Sequence, residues 1–241
     1  MSVLAYLYKF LPLPERDITI ATRAGSKLRV RLKRNAGALY PVLDVFAAEA
    51  YACNWEIESS PVVLDIGAHV GAFLVWFAQQ HPGITGVAYE PDPAAAEYLK
   101  SNLKSNGLSR IETHLEAVSD RAGEANLFRS DPGSGASSLH AHPHLNAGGS
   151  IRVAVKTFED VVEGFAGDIS LVKLDCEGAE YEIVLGSAPA SWQRVRRVVV
   201  EYHPVEGSDP SALVERLEGM GFGLVKRWAR SSSDGTLWFA R

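Results

Sequence analysis

Residues 62–71 read VVLDIGAHVG, an apolar run followed by a turn that contains two glycines. The run VVLDIG is almost continuously apolar, which is typical of a strand buried on both faces of a parallel sheet. The next residues, VGAFLVWFAQQ, have the apolar spacing of a helix. This stretch therefore predicts a strand, a tight turn and a helix, and such a turn lets the backbone approach a ligand closely.

The spacing of the glycines indicates which ligand the turn accepts. A dinucleotide fingerprint has glycines at positions i, i+2 and i+5, and these positions hold Gly67, His69 and Ala72. His69 replaces the glycine that lets the backbone approach a pyrophosphate, whereas Gly67 and Gly71 are four residues apart. The turn thus favours a ligand with an adenosine group and no phosphates, and S-adenosylmethionine is such a ligand.

Two carboxylates flank this turn. Glu90 ends the second predicted strand, 19 residues after Gly71, where a carboxylate can accept hydrogen bonds from both ribose hydroxyls. NAD would use the same contact, so Glu90 alone does not separate the two cofactors. Asp65, at the end of the first strand, would repel a pyrophosphate but is compatible with a sulfonium and an ammonium group. It could equally stabilise the turn by accepting backbone hydrogen bonds.

From residue 61 onward the chain alternates between strands and helices, which predicts an α/β fold with a mostly parallel sheet and helices on both faces. A third strand is expected near residues 110–118. In such sheets the ligand lies beyond the carboxyl ends of the strands. The strand ends are therefore candidate sites: residues 65–67, Glu90, and residues 117–120, 175–178 and 201–203.

The segments outside this alternating pattern are harder to assign. Residues 17–34 predict two strands, and the stretch from Pro41 predicts a helix. The first 14 residues are apolar but too few to span a bilayer, and we interpret them as a short helix that ends near Pro12. Residues 130–150, rich in glycine, serine and histidine, are long enough to be a lid or binding loop.

The composition limits the functional classes. The chain has 241 residues, of which 46% are hydrophobic and 22% charged, as in an ordinary globular domain. Its net charge of -5 provides no positive field that would attract nucleic acid or an anionic membrane, and we predict no stable membrane insertion. The two cysteines have no disulfide or metal spacing, which favours a reducing compartment, and we predict a cytoplasmic protein. The oligomeric state stays open.

Several of these stretches together resemble the FkbM family of S-adenosylmethionine-dependent methyltransferases, over roughly residues 40–240. The resembling stretches are VVLDIGAHVGAF at 62–73, YEPDP at 89–93, GASSL at 135–139, LVKLDCEGAEYEIV at 171–184 and VEYH at 200–203. The resemblance implies the class I methyltransferase fold, a Rossmann-like, mostly parallel seven-stranded sheet with an antiparallel last strand. It also implies O-methylation of hydroxyls on natural products, sugars or lipids.

The resemblance further implies roles for individual residues. Carried over by position, the predicted cofactor-binding residues are Asp65, Gly67, Ala68, His69 and Gly71 on the methionine and ribose side, Glu90 at the ribose, Pro91, Asp92, Ala117 and Val118 around the adenine, and Asp175 near the transferable methyl group. The middle turn position is often asparagine in the family, so His69 is a departure that leaves the contact of its own side chain open.

An alcohol acceptor must lose a proton during methyl transfer, usually to a positioned base. The candidates are Asp175, Glu177, Glu201 and His203. The alternative roles are helix capping for Asp175, stabilisation of a helix N-terminus for Glu177 and a loop position for His203. Asp175, Glu201 and His203 could also hold a divalent cation, but their spacing is not diagnostic and we predict no metal. Lys173 is expected to pair with Asp175 or Glu201.

These interpretations imply a domain organisation and a function. We expect residues 1–55 to form an N-terminal extension and residues 56–241 a methyltransferase domain with an insertion or lid at 124–156. The lid and the N-terminal part, including Tyr51, would build the pocket for a small-molecule acceptor. The predicted function is S-adenosylmethionine-dependent O-methylation. A non-catalytic cofactor-binding scaffold and an NAD-dependent oxidoreductase are the alternatives, the latter disfavoured by His69 and Ala72.

Overall fold

The computed structural model describes residues 15–32, 39–47, 50–129, 137–141 and 149–241. The expected N-terminal helix and most of the 130–150 segment lie outside these residues. In chain order the elements are β1 (Arg16–Ala21), β2 (Lys27–Leu32), α1 (Leu39–Ala47), β3 (Val62–Ile66), α2 (Ala72–Gln80), β4 (Thr85–Tyr89), α3 (Pro93–Ser105), β5 (Ile111–His114), β6 (Ala117–Ser119), β7 (Gly123–Arg129), β8 (Ser137–Ser138), β9 (Ser150–Thr157), α4 (Phe158–Glu163), β10 (Leu171–Leu174), α5 (Glu180–Gly186), a 3₁₀ turn (Pro189–Trp192), β11 (Arg197–Tyr202), α6 (Pro210–Gly219), β12 (Gly223–Ala229) and β13 (Gly235–Ala240). Within the described ranges, no helix is long and apolar enough to cross a membrane.

A seven-stranded sheet forms the centre of the fold, in the spatial order β12-β13-β11-β10-β3-β4-β5. The strands from β11 to β5 pair in parallel, and β13 is antiparallel to both β11 and β12. This arrangement confirms the predicted Rossmann-like sheet with its antiparallel last strand. The carboxyl ends of the parallel strands meet at one edge, where a ligand is expected to bind.

Apolar cores cover both faces of the main sheet. One core contains side chains from α4, α5 and α6, and the other contains side chains from β2, α1, α2 and α3. Leu28 and Val30 of the N-terminal hairpin are fully buried in the second core, together with Trp238 of β13. The hairpin therefore packs with the main sheet, and the division at residue 55 stays a prediction.

The expected third strand near residues 110–118 is in fact two strands in two different sheets. β5 forms the edge of the main sheet, whereas β6 pairs with β9 in a four-stranded sheet of order β6-β9-β7-β8. The prediction of one strand was wrong because the apolar alternation of RIETHLEAV continues across the break, and periodicity alone cannot locate such a break. Ala117 and Val118 therefore reach the ligand edge from the second sheet.

Local signals account for two helix starts. Asp92 caps α3 by accepting a hydrogen bond from the Ala94 N–H at 2.8 Å, and Pro93 occupies the first turn, as predicted. Thr157 caps α4 in a reciprocal capping box with Asp160. These caps fix where the helices begin relative to the strands before them, and so position the loops that line the ligand edge.

Candidate active site

The glycine turn between β3 and α2 lies against the turn that follows β10. Gly67 has a left-handed backbone with φ +78°, and a Cβ placed on it would lie 1.8 Å from the Asp175 carbonyl oxygen. Only glycine fits this crossing. Gly71 also has a positive φ, but a Cβ there would meet Leu99 of α3 at 2.8 Å. Gly71 thus sets the packing of α2 on α3.

His69 and Glu90 are joined through the backbone of the turn. The His69 N–H donates to Glu90 Oε2 at 2.7 Å, and the Asp92 N–H donates to Oε1 at 2.8 Å. His69 has φ +49°, a conformation that histidine and asparagine tolerate better than most residues, which accounts for the departure from asparagine here. Burial raises the pKa of Glu90 to about 7, although the two N–H groups oppose that shift.

A cavity of about 300 Å³ opens at the carboxyl ends of the parallel strands. Of the residues predicted from the sequence, its wall contains Gly67, Ala68, His69, Glu90, Pro91, Asp92, Ala117, Val118, Asp175, Glu177, Glu201 and His203. The structure therefore brings together cofactor-binding and base candidates from both sheets. Asp65 and Gly71 are not among the wall residues, and the direct ligand contact predicted for each stays a prediction.

Asp65 supports the site from beneath, through Lys173. The buried Lys173 ammonium lies 3.0 Å from Asp65 Oδ1 and 3.2 Å from Asp175 Oδ2, and it donates to the Gly67 carbonyl at 3.1 Å. Burial opposes the charge on Lys173, but the carboxylates of Asp175 and Asp65 outweigh it and raise the pKa of the ammonium. The expected pairing with Asp175 is confirmed, and Lys173 ties β3, β10 and the glycine turn together.

Asp175 and Glu201 are bridged by the hydroxyl of Tyr51. The Tyr51 oxygen lies 2.9 Å from Asp175 Oδ2 and 2.5 Å from Glu201 Oε2. The other oxygen of Glu201 forms an ion pair with Arg230. Burial and the Asp175 carboxylate raise the pKa of Glu201, against the opposing charges of His203 and Arg230. These groups form the acidic end of the cavity.

His203 is surrounded by carboxylates. Its Nδ1 lies 2.5 Å from Glu180 Oε1, and its Nε2 lies 3.8 Å from both Asp175 Oδ1 and Glu177 Oε2. Burial disfavours the charged ring, but Glu177 and Glu180 outweigh it and raise the pKa of His203 well above its usual value. The surrounding carboxylates therefore favour the imidazolium form of His203, which carries protons on both ring nitrogens and cannot accept another. This favours a carboxylate over His203 as the proton acceptor.

The charges and shape of the cavity fit S-adenosylmethionine better than a dinucleotide. Among the described residues, the wall contains seven carboxylate side chains but only Lys173 and Arg230 as permanent cations. A diphosphate would be repelled there, whereas a sulfonium and an ammonium group would be stabilised. Val118, Leu127 and Leu139 give the wall an apolar part, which suits an adenine ring.

Arg230 and Asp44 are among the wall residues that the sequence analysis did not predict. Arg230 follows β12 in a serine-rich turn that carries no recognisable motif, and Asp44 lies in α1 among apolar residues. Their side chains approach each other at 3.9 Å. Only knowledge of which distant segments pack against β11 would have identified them, because neither has a local signal.

The described residues also contain one group with metal-ligand spacing, Asp175, Glu201 and His203, whose ligand atoms lie within 4.8 Å of one another. Lys173 and Arg230 already supply positive charge to the two carboxylates. The expectation of a metal-free site stays a prediction, and turnover in the presence of a chelator tests it.

Comparison with known proteins places this geometry in context. The FkbM methyltransferase domain model matches residues 65–224. The chain is 29% identical to the 31-O-demethyl-FK506 methyltransferase FkbM of Streptomyces tacrolimicus and 28% identical to the methyltransferase sdnD of Sordaria araneosa, each match covering 79% of this chain and 84% of the relative. The 2-O-methyltransferase NoeI of Sinorhizobium fredii is 27% identical, over 61% of this chain and 65% of its own. Aeropyrum pernix fibrillarin, crystallised with natively bound S-adenosyl-L-methionine, has a similar fold, with a TM-score of 0.51 and 9% identity over 93% of this chain and 82% of that one.

Proposed function

The chain belongs to the FkbM methyltransferase family, and from this premise we propose that it transfers the methyl group of S-adenosylmethionine to a hydroxyl oxygen of a small-molecule acceptor. The cofactor supplies an electrophilic methyl group on a sulfonium. The enzyme therefore has to bind the cofactor, align the acceptor oxygen and remove its proton. Each of these tasks has candidate residues in the cavity.

Cofactor binding is assigned to the glycine turn, the end of β4 and the start of β6. The Glu90 carboxylate, fixed by two backbone N–H groups, would accept hydrogen bonds from the ribose hydroxyls. Ala117 and Val118 would contact the adenine, and the acidic end of the cavity would stabilise the sulfonium and ammonium charges. Gly67, whose missing side chain lets the Asp175 backbone pack against it, would present its main chain to the methionine part.

The observation that carries the proposal for a hydroxyl acceptor is the group of carboxylates at one end of the cavity. Asp175, Glu177 and Glu201 line the same wall. They would repel an acceptor that is itself a carboxylate, but they would accept the proton of a neutral hydroxyl. Two relatives bear names that describe O-methylation, which supports the same choice.

An acceptor screen tests this function. The full chain is incubated with methyl-labelled S-adenosylmethionine and a panel of macrolides, sugars and hydroxylated lipids, each paired with a carboxylic acid and an amine of similar skeleton. We expect S-adenosylhomocysteine and a labelled O-methyl product from one or more hydroxyl compounds. Label found only on nitrogen or on a carboxylate would refute O-methylation, and binding without any turnover would favour the scaffold alternative.

Calorimetry tests the cofactor site separately. We expect the chain to bind S-adenosylmethionine and not NAD, and Glu90→Ala to weaken the binding of S-adenosylmethionine about 10- to 100-fold, because one or two hydrogen bonds to a charged group are lost. Glu112→Ala, which removes an exposed acid of the adjacent strand β5, is the matched control and should leave the affinity unchanged. Equal effects of the two changes would exclude a ribose contact.

A further inference from the structure

The Tyr51 hydroxyl lies within hydrogen-bond distance of two carboxylates, Asp175 and Glu201. Its distances to Asp175 Oδ2 and Glu201 Oε2, 2.9 and 2.5 Å, are both within the range of an O–H···O hydrogen bond. A phenol carries one proton, and an ionised carboxylate carries none. With both carboxylates ionised, one of the two contacts therefore lacks its proton. Both contacts are complete hydrogen bonds only when a second proton is present among the three oxygens.

We propose that Asp175, Tyr51 and Glu201 form a proton relay, in which Tyr51 passes the proton lost by the acceptor hydroxyl from Asp175 to Glu201. The proposal rests on the proposed O-methylation and assigns to Tyr51 a role as a positioning residue that acts through the two acids. The missing proton of the resting relay is the one that methylation releases, so the site gains its full set of hydrogen bonds as the acceptor is deprotonated.

The surroundings set the direction of transfer. Burial alone would raise the pKa of Asp175, but the charges of Lys173 and His203 hold it below its usual value. Burial and Asp175 raise the pKa of Glu201. Because the Lys173 ammonium lies 3.2 Å from Asp175 Oδ2 and opposes protonation there, the proton is favoured on Glu201. The charged groups that face the relay are Asp44, Lys173, Glu177, His203 and Arg230.

The transfer balances without a further reactant. As the acceptor oxygen bonds to the methyl carbon, the sulfur keeps the electron pair of the broken bond. The acceptor O–H proton moves to Asp175 Oδ2, which passes it to the Tyr51 oxygen while the proton of Tyr51 moves to Glu201 Oε2. Asp175 and Tyr51 are then as they began, and Glu201 releases its proton to water after the products leave.

The position of Tyr51 is fixed by packing and not by the two acids alone. Its side chain is buried, its ring meets Phe73 edge to face at 5.3 Å between centroids, and the Lys173 ammonium lies 5.4 Å from the ring centre. Arg230 occupies the other oxygen of Glu201, which leaves Oε2 for Tyr51. The hydroxyl is therefore held between the carboxylates before any acceptor arrives.

Carbon-13 NMR of the full chain without acceptor tests the shared proton. Tyrosine is labelled at Cζ and glutamate at Cδ, and Glu201 and Tyr51 are assigned from Glu201→Gln and Tyr51→Phe. We expect the Tyr51 signal to shift at the same pH midpoint as Glu201, because protonation of Glu201 redirects the tyrosine proton to Asp175. Glu201→Gln should remove that step. Tyr202→Phe, which removes another buried hydroxyl outside the cavity, should retain it.

Kinetics with a hydroxyl acceptor found by the screen provide the second readout. Tyr51→Phe should lower kcat by up to roughly 100-fold, as for loss of proton-transfer assistance, while the Kd for S-adenosylmethionine measured by calorimetry stays within about threefold. It should also move the acidic limb of the pH–rate profile upward, since both carboxylates lose a donor that favours their ionised forms. Tyr202→Phe should match the wild type in kcat and in the profile.

The outcomes separate the relay from the proposed function. A Tyr51 signal that stays constant through the Glu201 midpoint would overturn the relay, and this measurement needs no acceptor and no variant beyond those used for assignment. A loss of kcat with an unmoved pH profile would also overturn it and leave Tyr51 as a packing residue. Absence of any methylated product would refute the proposed function while the titration still decides whether the proton is shared.

Discussion

At the scale of single residues, three carboxylate side chains in and around this site differ in their partners and their electrostatic surroundings. Asp65 is neutralised by Lys173 in the core, whereas Glu90 accepts hydrogen bonds from the His69 and Asp92 N–H groups, and burial raises its pKa to about 7. Glu180 accepts hydrogen bonds from the backbone N–H groups of Cys176 and Gly178. The sequence predicted that acids stand at the strand ends. It could not distinguish their roles, because Lys173 is far from Asp65 in the sequence and the burial of Glu90 depends on the packing of distant segments.

The buried Glu90 should make stability depend on pH. Its folded pKa of about 7 lies above the unfolded value of 4.5, so the folded state binds more protons between these values and the free energy of unfolding falls as pH rises from 4.5 to 7. Glu90→Gln should remove this contribution. By urea unfolding, we expect the wild type to lose up to about 3 kcal/mol relative to the variant over that window.

Glu177, whose pKa is also raised to about 7 by burial, is present in both proteins and cancels in the difference. The Gln side chain places an amide against a backbone N–H, which costs stability at every pH and leaves the slope untouched. Parallel curves for the two proteins from pH 4.5 to 7 would contradict the raised pKa of Glu90.

Asp175 is the carboxylate for which we predict the largest effect on the rate. Asp175→Asn should lower kcat about 10²- to 10⁴-fold, the range that a positioned proton acceptor contributes, because the amide cannot accept the acceptor's proton. The Kd for S-adenosylmethionine should change by only a fewfold. Turnover and calorimetry measure the two effects.

The matched control for Asp175→Asn is Asp168→Asn, which alters an exposed acid in the loop before β10, paired with Arg196. It should leave both the rate and the affinity as in the wild type. An unchanged kcat in Asp175→Asn would exclude Asp175 as the first proton acceptor and, with it, the start of the relay.

At the scale of elements, the sequence was most informative where a local signal marks a boundary. The apolar run of β3 and the Asp92-Pro93 start of α3 are such signals, and the structure confirms both. The sequence was least informative where the pairing of a strand depends on strands that are distant along the chain. β5 and β6 form one continuous pattern in sequence, and only the presence of β9 beside β6 separates them.

The crossing of the two turns yields a prediction about Gly67. Gly67→Ala should destabilise the chain by about 1 kcal/mol for its positive φ and about 1–3 kcal/mol more for overlap with the Asp175 carbonyl, and it should weaken cofactor binding as the turn moves. Urea unfolding and calorimetry measure these effects.

Gly107→Ala separates the two costs of that substitution. Gly107 follows α3 with φ +72°, and a Cβ there meets nothing within 4 Å. Only the conformational cost of about 1 kcal/mol should remain, with unchanged cofactor binding. If Gly67→Ala were no more destabilising than Gly107→Ala, the close approach of the two turns would be wrong.

At the scale of the whole molecule, the alternation of strands and helices along the sequence predicts the fold class, but it does not predict the composition of the site. Alternating strands and helices predict the parallel sheet and its ligand edge. The acidic end of the cavity, however, is completed by Tyr51 from before β3 and by Arg230 from after β12, which are separated by most of the chain. No spacing rule joins such positions, so the relay became visible only in the structure.

The burial of the N-terminal hairpin against α1 and α3, in the core that also contains Trp238 of β13, predicts that the described parts of the chain unfold as one unit. Leu28 of β2 is fully buried in the core that also contains Trp238. Leu28→Ala should therefore lower the free energy of unfolding by about 2–5 kcal/mol, and circular dichroism and tryptophan fluorescence should report one coincident transition.

Lys27→Ala, which alters the exposed neighbour on the same strand, should change the free energy of unfolding by no more than about 0.5 kcal/mol. A separately folding extension would behave differently, because Leu28→Ala would then create an early transition of its own and leave the midpoint of the main sheet where it was. One shifted, coincident transition would mean that the hairpin holds Tyr51 in place through the same core that holds β3 and β10, so that the acidic end of the cavity forms only when the whole chain folds.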